Sequence, residues 1–87
     1  MAQLLLPTIL TALFPGTPRR IAVEGTTVGQ LLAQLDQRVP GIGDRLLVSG
    51  PELREHIKVF VDGRQADLAT PVSGTSVVHV VTAVSGG

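Results

Sequence analysis

The chain has 87 residues, in which seven lysines and arginines balance seven aspartates and glutamates, and it contains no cysteine, tryptophan or tyrosine. Zero formal charge leaves no cationic footprint for a phosphate backbone, and the missing cysteine excludes a disulfide framework, a zinc knuckle and a thiolate nucleophile. An apolar share of 44% is too high for a disordered chain, and this length supports one domain that buries about 60–65% of its unfolded surface.

In chain order, residues 4–14 are rich in Leu, Ile and Thr and end at Phe14-Pro15-Gly16-Thr17-Pro18, so they read as a strand followed by a turn. A signal peptide is disfavoured, because no basic residue precedes the apolar run, Pro7 interrupts it and no small-x-small cleavage site follows. A transmembrane helix is disfavoured too, since neither end supplies about 18 consecutive apolar residues. From Arg19 to Gly25, Ile21 and Val23 alternate with Arg20, Ala22 and Glu24 at the period of a half-buried strand, which would complete a first hairpin.

The period then changes. Val28, Leu31, Leu32, Leu35 and Val39 recur at helical spacing behind Thr27-x-x-Gln30, a capping-box pattern, and Pro40-Gly41 stops the helix. Gly43, Gly50 and Pro51 break the next stretch, within which Asp44-Arg45-Leu46-Leu47 could add a helical turn. His56 to Val61 alternates Ile57, Val59 and Val61 against Lys58 and Phe60. Asp62-Gly63 behind it is a two-residue hairpin turn, because both residues tolerate positive φ. A short strand follows, then turns at Pro71 and Ser73-Gly74, then a nearly continuous β-branched strand over residues 76–84.

All charged side chains lie between Arg19 and Asp67, so the first and last strands have none. Uncharged, nearly continuous apolar strands suit the middle of a sheet. Side by side in the centre, with hairpin strands flanking them and the one amphipathic helix across a face, they make an α+β domain with a mixed sheet of four to five strands. That arrangement is the β-grasp, or ubiquitin-like, fold, expected over residues 1–83. Residues 84–87 then form a protruding tail, Val84-Ser85-Gly86-Gly87.

Two glycines after a strand add no side chain to pack and lose much backbone entropy on ordering. Their advantage is steric: without Cβ atoms the backbone can thread a narrow channel and present the Gly87 carboxylate inside another protein. A carboxylate ionised at neutral pH is a poor acyl donor, so use as one requires activation, most simply as an acyl-adenylate, for which a partner would supply ATP and Mg²⁺. Frayed domain ends are commonly small and polar, which is the competing reading of Gly86-Gly87.

These features together resemble the ubiquitin-like sulfur carriers, which include the molybdopterin synthase small subunit, the thiamine-pathway carrier and the carrier that feeds cysteine synthesis. The resemblance spans essentially the whole chain. It is carried by Pro7-Thr8-Ile9-Leu10, by the Thr27-Val28-Gly29-Gln30-Leu31-Leu32 helix start and by Ile57 to Gly63. Thr70-Pro71-Val72-Ser73-Gly74 and the Ala83-Val84-Ser85-Gly86-Gly87 ending complete it. The Pro-Thr-Ile-Leu segment and this ending look most like the cysteine-biosynthetic carrier. The chain departs from the family pattern at Asp62-Gly63, where Asn-Gly is frequent, and at Gly74-Thr75, where Gly-Asp is frequent.

The resemblance implies a cytoplasmic carrier that is not itself an enzyme and binds no cofactor. An E1-like adenylating and sulfur-transferring enzyme would activate Gly87, and a sulfur donor would convert the adenylate to a thiocarboxylate. The acceptor would be a pyridoxal-phosphate-dependent cysteine synthase, with the molybdopterin synthase large subunit or a thiazole synthase as alternatives. In the cysteine branch a metal-dependent peptidase would release the product. A second reading is a ubiquitin-like modifier joined to lysines through Gly87; a third is a β-grasp interaction module whose diglycine is incidental.

The other candidates are weaker. His79 lies in the last strand, where it faces either a partner or the core, and no Ser, Cys or paired acid is placed to make it a catalytic base. Glu52, Glu55 and His56 form an acid-rich stretch common on solvated surfaces, so no metal site is expected. Phe60 alternates out of phase with the core positions Ile57, Val59 and Val61, and is the candidate for docking a partner through the sheet.

Overall fold

A computed structural model of the chain describes residues 1–49 and 52–82. Strand β1 (Ala2–Leu5) is followed by helix α1 (Thr8–Leu13), strand β2 (Arg20–Val23), helix α2 (Val28–Arg38) and helix α3 (Ile42–Leu46). Then come β3 (Leu47–Val48), β4 (Glu52–Leu53), β5 (Ile57–Val61), β6 (Arg64–Ala66) and β7 (Val77–Thr82). The main sheet has the order β2-β1-β7-β5-β6, and β3 pairs with β4 in a separate ribbon. The two uncharged strands are central neighbours and run parallel, with Leu4 opposite Val78, while the other pairings in the sheet are antiparallel. A mixed five-stranded sheet with α2 across one face is the expected β-grasp.

The covered face holds the core. Leu4, Val23, Val59 and Val78 from the strands meet Val28, Leu31, Leu32 and Leu35 of α2 and Ile42 and Leu46 of α3, all completely shielded from solvent. Each such aliphatic side chain contributes about 1.5–3 kcal/mol by leaving water. Helix α2 begins where its first N–H groups find acceptors: Val28 N donates to Thr70 O at 3.0 Å, Gly29 N to Leu68 O at 2.9 Å and Gln30 N to Thr27 Oγ1 at 3.2 Å. Thr27 is the N-cap as the capping box requires, and only the reciprocal bond moves by one residue. Gln30 Oε1 accepts from Thr26 N at 2.8 Å, while Thr27 pairs with Pro71 in an isolated bridge.

Two expectations change. Residues 4–14 are not one strand: the ladder stops after Leu5 and residues 8–13 are helical. Pro7 sits at the helix N-cap with φ −70° and ψ 151°, and its carbonyl accepts from Leu10 N at 3.0 Å, so the chain turns out of the sheet there. The link between β1 and β2 is therefore a helical excursion rather than a tight hairpin. Second, the turn anticipated near Asp44 is the complete helix α3, held by Asp36. Asp36 Oδ1 accepts from Gly41 N at 3.2 Å and Gly43 N at 2.8 Å, and Gly41 takes a φ of +96° that glycine allows without strain. As expected from one helix across one face, the other face of the central strands is open among the described residues. Leu5 and Val77 are half-buried and Val81 is exposed, because helices pack on one face of this sheet only.

The remaining elements follow their local signals. Asp62 and Gly63 adopt φ of +49° and +86° and join β5 to β6 as the expected two-residue turn. Strand β7 is described to Thr82, so the extension to Val84 and the tail lie outside the described residues.

Candidate functional site

The site proposed from the sequence is the end of β7 together with the four residues that close the chain. Val84, Ser85, Gly86 and Gly87, and with them the boundary between domain and tail, lie outside the described residues. The strand that leads to them is fully described. Strand β7 pairs with β1 only from Val77 to His79, whereas its pairing with β5 continues from Val78 to Thr82. The last residues of β7 thus pass beyond the end of β1, alongside β5. Because β1 and β7 are parallel, α1 comes after β1 at this same end of the sheet, and there it exposes Ile9 and Leu13 while burying Leu10.

Phe60 is half-buried and points away from the core cluster that contains Ile57 and Val59 and against which Val61 packs. It lies on the face of the sheet that no helix among the described residues covers. The registers of four strand pairs align it in one row: Arg20, Leu5, His79, Phe60 and Gln65 stand side by side across all five strands. Leu5 and Phe60 flank the exposed imidazole of His79, and Val81, 39% exposed, is the next outward residue along β7 toward the tail. Direct cross-strand neighbours on one face lie about 4.5–5.5 Å apart at Cβ, so these side chains make a continuous surface.

His79 is therefore an open-face residue and not a core one, which settles the two orientations the sequence allowed. Sequence reasoning missed its companion Leu5. The alternation of Val78 and Val80 against His79 signals the facing of β7, but the placing of Leu5 beside it depends on parallel pairing between residues more than seventy positions apart. His56 and Glu55 are exposed, and among the described residues no group of three or more His, Asp or Glu side chains could hold a metal ion. Among the described residues no helix is long and apolar enough to cross a membrane. The concavities of the described surface are open grooves; one runs between α2 and the β3-β4 ribbon, lined by Asp36, Asp44 and Arg54 among others.

A sheet with one helix-covered face, one open face and a central last strand leading to a diglycine defines a ubiquitin-like β-grasp protein. The ThiS family model matches residues 12–87, and the chain belongs to the ThiS family. The sequence's likeness to ubiquitin-like sulfur carriers is thereby borne out at the level of the family. No curated protein matches by sequence.

Three solved structures place the fold. A chain of the BexX/CysO complex of Amycolatopsis orientalis superposes with a TM-score of 0.88 at 26% identity, covering 100% of both chains. CysO of Mycobacterium tuberculosis gives a TM-score of 0.86 at 23% identity, covering 97% of this chain and 100% of that one, a likeness of fold. SAMP1 of Haloferax volcanii gives 0.79 at 28% identity, covering 99% of this chain and 98% of that one.

Proposed function

We propose that this chain is a sulfur carrier that serves as a cosubstrate and works through the Gly87 carboxylate. The observation that carries the reading is the conjunction of ThiS-family membership with a Gly86-Gly87 pair whose second glycine stands five residues after the end of the central strand β7. In the first step a Gly87 carboxylate oxygen attacks the α-phosphorus of ATP on an adenylating enzyme, which holds Mg²⁺, and pyrophosphate leaves. A hydrosulfide-equivalent donor then attacks the acyl carbon, AMP leaves, and a thiocarboxylate remains. Its sulfur passes to an acceptor enzyme, and the similarity to CysO favours one that makes cysteine. The absence of cysteine suits this chemistry, since the carried sulfur sits on the last carbonyl carbon and no thiol of the chain competes for the activated end.

The open face with Leu5, His79 and Phe60 is the surface that would seat the carrier while the tail enters the partner. A second reading, a protein modifier joined to lysines through Gly87, draws support from the likeness to the archaeal modifier SAMP1. Both readings share adenylation and differ in the nucleophile that attacks next. Incubation with the adenylating enzyme, ATP and sulfide, followed by intact-mass measurement, separates them. Replacement of one oxygen by sulfur at Gly87 supports the carrier, ladders of conjugates support the modifier, and an unchanged mass overturns both.

A further inference from the structure

The open face of the sheet carries cations toward the end of β7. Outward-facing charged positions on the strands are Arg20, exposed on β2 and opposite Leu5, and Lys58, half-buried on β5 and opposite Val81. Both belong to the half of the face nearest the end of β7, and His79 lies between them in the same half. Carboxylates border the face too: Glu55 is exposed in the turn that precedes β5, at the same end as Lys58, while Asp62 and Asp67 are engaged by the chain itself. Asp62, at the opposite end, accepts from Val77 N at 2.8 Å. Asp67, just after β6, accepts from Ala69 N at 2.9 Å and Thr70 Oγ1 at 3.2 Å.

The two cations are not so engaged. The arginines whose guanidinium groups hydrogen-bond to the fold are Arg38, to Ala22 O, and Arg54, to Asp44 O; among the described residues Arg20 and Lys58 have no such bond. A chain of zero net charge thus presents, toward the exit of its last strand, two cations whose charged ends make no hydrogen bond among the described residues, around an apolar centre of Leu5, Phe60 and Val81. Lysine and arginine lay their aliphatic stems along such a surface while their charged ends reach the rim.

We infer that the partner surface receiving this half of the sheet is acidic, with carboxylates placed against Arg20 and Lys58 around an apolar patch that meets Phe60 and Val81. This rests on the sulfur-carrier reading, in which the partner is the adenylating enzyme, and it adds the chemistry of that enzyme's docking surface. Rim charges of this kind steer encounter and fix orientation, and a like charge set against a partner's charge costs enough to weaken docking strongly. The two cations then align β7 so that the tail is aimed at the entrance to the adenylation centre.

The test measures adenylation of Gly87 by pyrophosphate exchange against carrier concentration, using the full chain and the adenylating enzyme from the same organism. The double variant Arg20→Glu/Lys58→Glu raises the KM for the carrier about tenfold or more while kcat at saturation is retained. The wild-type KM also rises with added salt, as screening shortens from about 30 Å at 0.01 M to about 8 Å at 0.15 M. Arg20→Gln/Lys58→Gln gives an intermediate KM. The charge-matched control Arg45→Glu/Arg64→Glu leaves it near the wild-type value, and melting curves verify that each variant is folded. Adenylation with an unchanged KM in the Glu variant, a lowered KM, or an equal rise in the control overturns the acidic docking surface alone. A wild-type chain that is not adenylated at all overturns the carrier reading and this partner with it.

Discussion

Phe60 on β5 and His79 on β7 are direct cross-strand neighbours on the open face of the sheet, and Leu5 stands on the far side of His79. An aromatic ring held half-buried beside an imidazole, with no helix above it, contributes less to the core than to whatever the face meets. Phe60→Ala is therefore expected to raise the KM for the adenylating enzyme about tenfold, as loss of an interface aromatic commonly does. It should lower stability by no more than about 1 kcal/mol, the scale of one cross-strand pair. Chemical denaturation and steady-state adenylation measured on the same sample check this. A variant that unfolds readily yet is adenylated normally places Phe60 in the wrong role.

Deletion of Gly87 is expected to abolish adenylation and sulfur loading while leaving the melting temperature within about a degree of the wild type. A terminal glycine has no side chain to add to a core, so its loss removes no packed group. Intact mass after incubation with ATP and sulfide, alongside calorimetry, reads both effects. Retained loading in the shortened chain would remove Gly87 from the chemistry.

Asp36 and Gly43 form a lock between α2 and α3. The Asp36 carboxylate accepts from two N–H groups at the start of α3, and a Cβ on Gly43 would come within 2.8 Å of its Oδ1. Asp36→Ala is expected to cost about 1–2 kcal/mol, the worth of a helix cap. Gly43→Ala should cost a similar amount, because the new methyl displaces the same carboxylate. The double variant should then cost clearly less than the sum, since both changes remove one interaction. A double-mutant cycle by urea denaturation tests the coupling, and strict additivity would show that the two residues act apart.

Asp62 combines two demands, a φ of +49° and a carboxylate bonded to Val77 N at 2.8 Å. Asp62→Asn keeps a residue that tolerates this conformation and an oxygen that can accept the bond, so the stability change is expected to stay within about 0.5 kcal/mol. Asp62→Ala loses both and should cost about 1–3 kcal/mol. Thermal melting ranks the two, and equal losses would contradict the hydrogen-bond assignment.

Much of the fold was legible because its signals are local. Thr27 before a run of leucines at helical spacing specifies where α2 begins, and Asp62-Gly63 specifies a hairpin whatever surrounds it. The uncharged flanks pointed to central strands because a charged side chain is costly to bury. Helix α1 escaped notice because Leu, Ile and Thr in a short run suit a strand as well as a helix, and the end of the β1 ladder breaks that tie. The paired Asp36 and Gly43 escaped for a related reason. Their seven-residue separation spans two helices and has meaning only once Gly41 has turned the chain between them.

By itself the sequence determined the class of the protein and its candidate reactive end: the alternation of Ile57, Val59 and Val61, the unbroken run of β7, and a diglycine that no packing requirement explains. Tertiary structure alone decided which side chains share the open face. The row of Arg20, Leu5, His79, Phe60 and Gln65 is assembled from five separate segments, and its register is set by parallel pairing of β1 with β7. A shift of one residue in that pairing would turn Leu5 toward the core and Leu4 toward solvent. Burial of Leu4 against Val78 excludes it, and so long-range packing, which leaves no mark on local sequence, selects the surface offered to a partner.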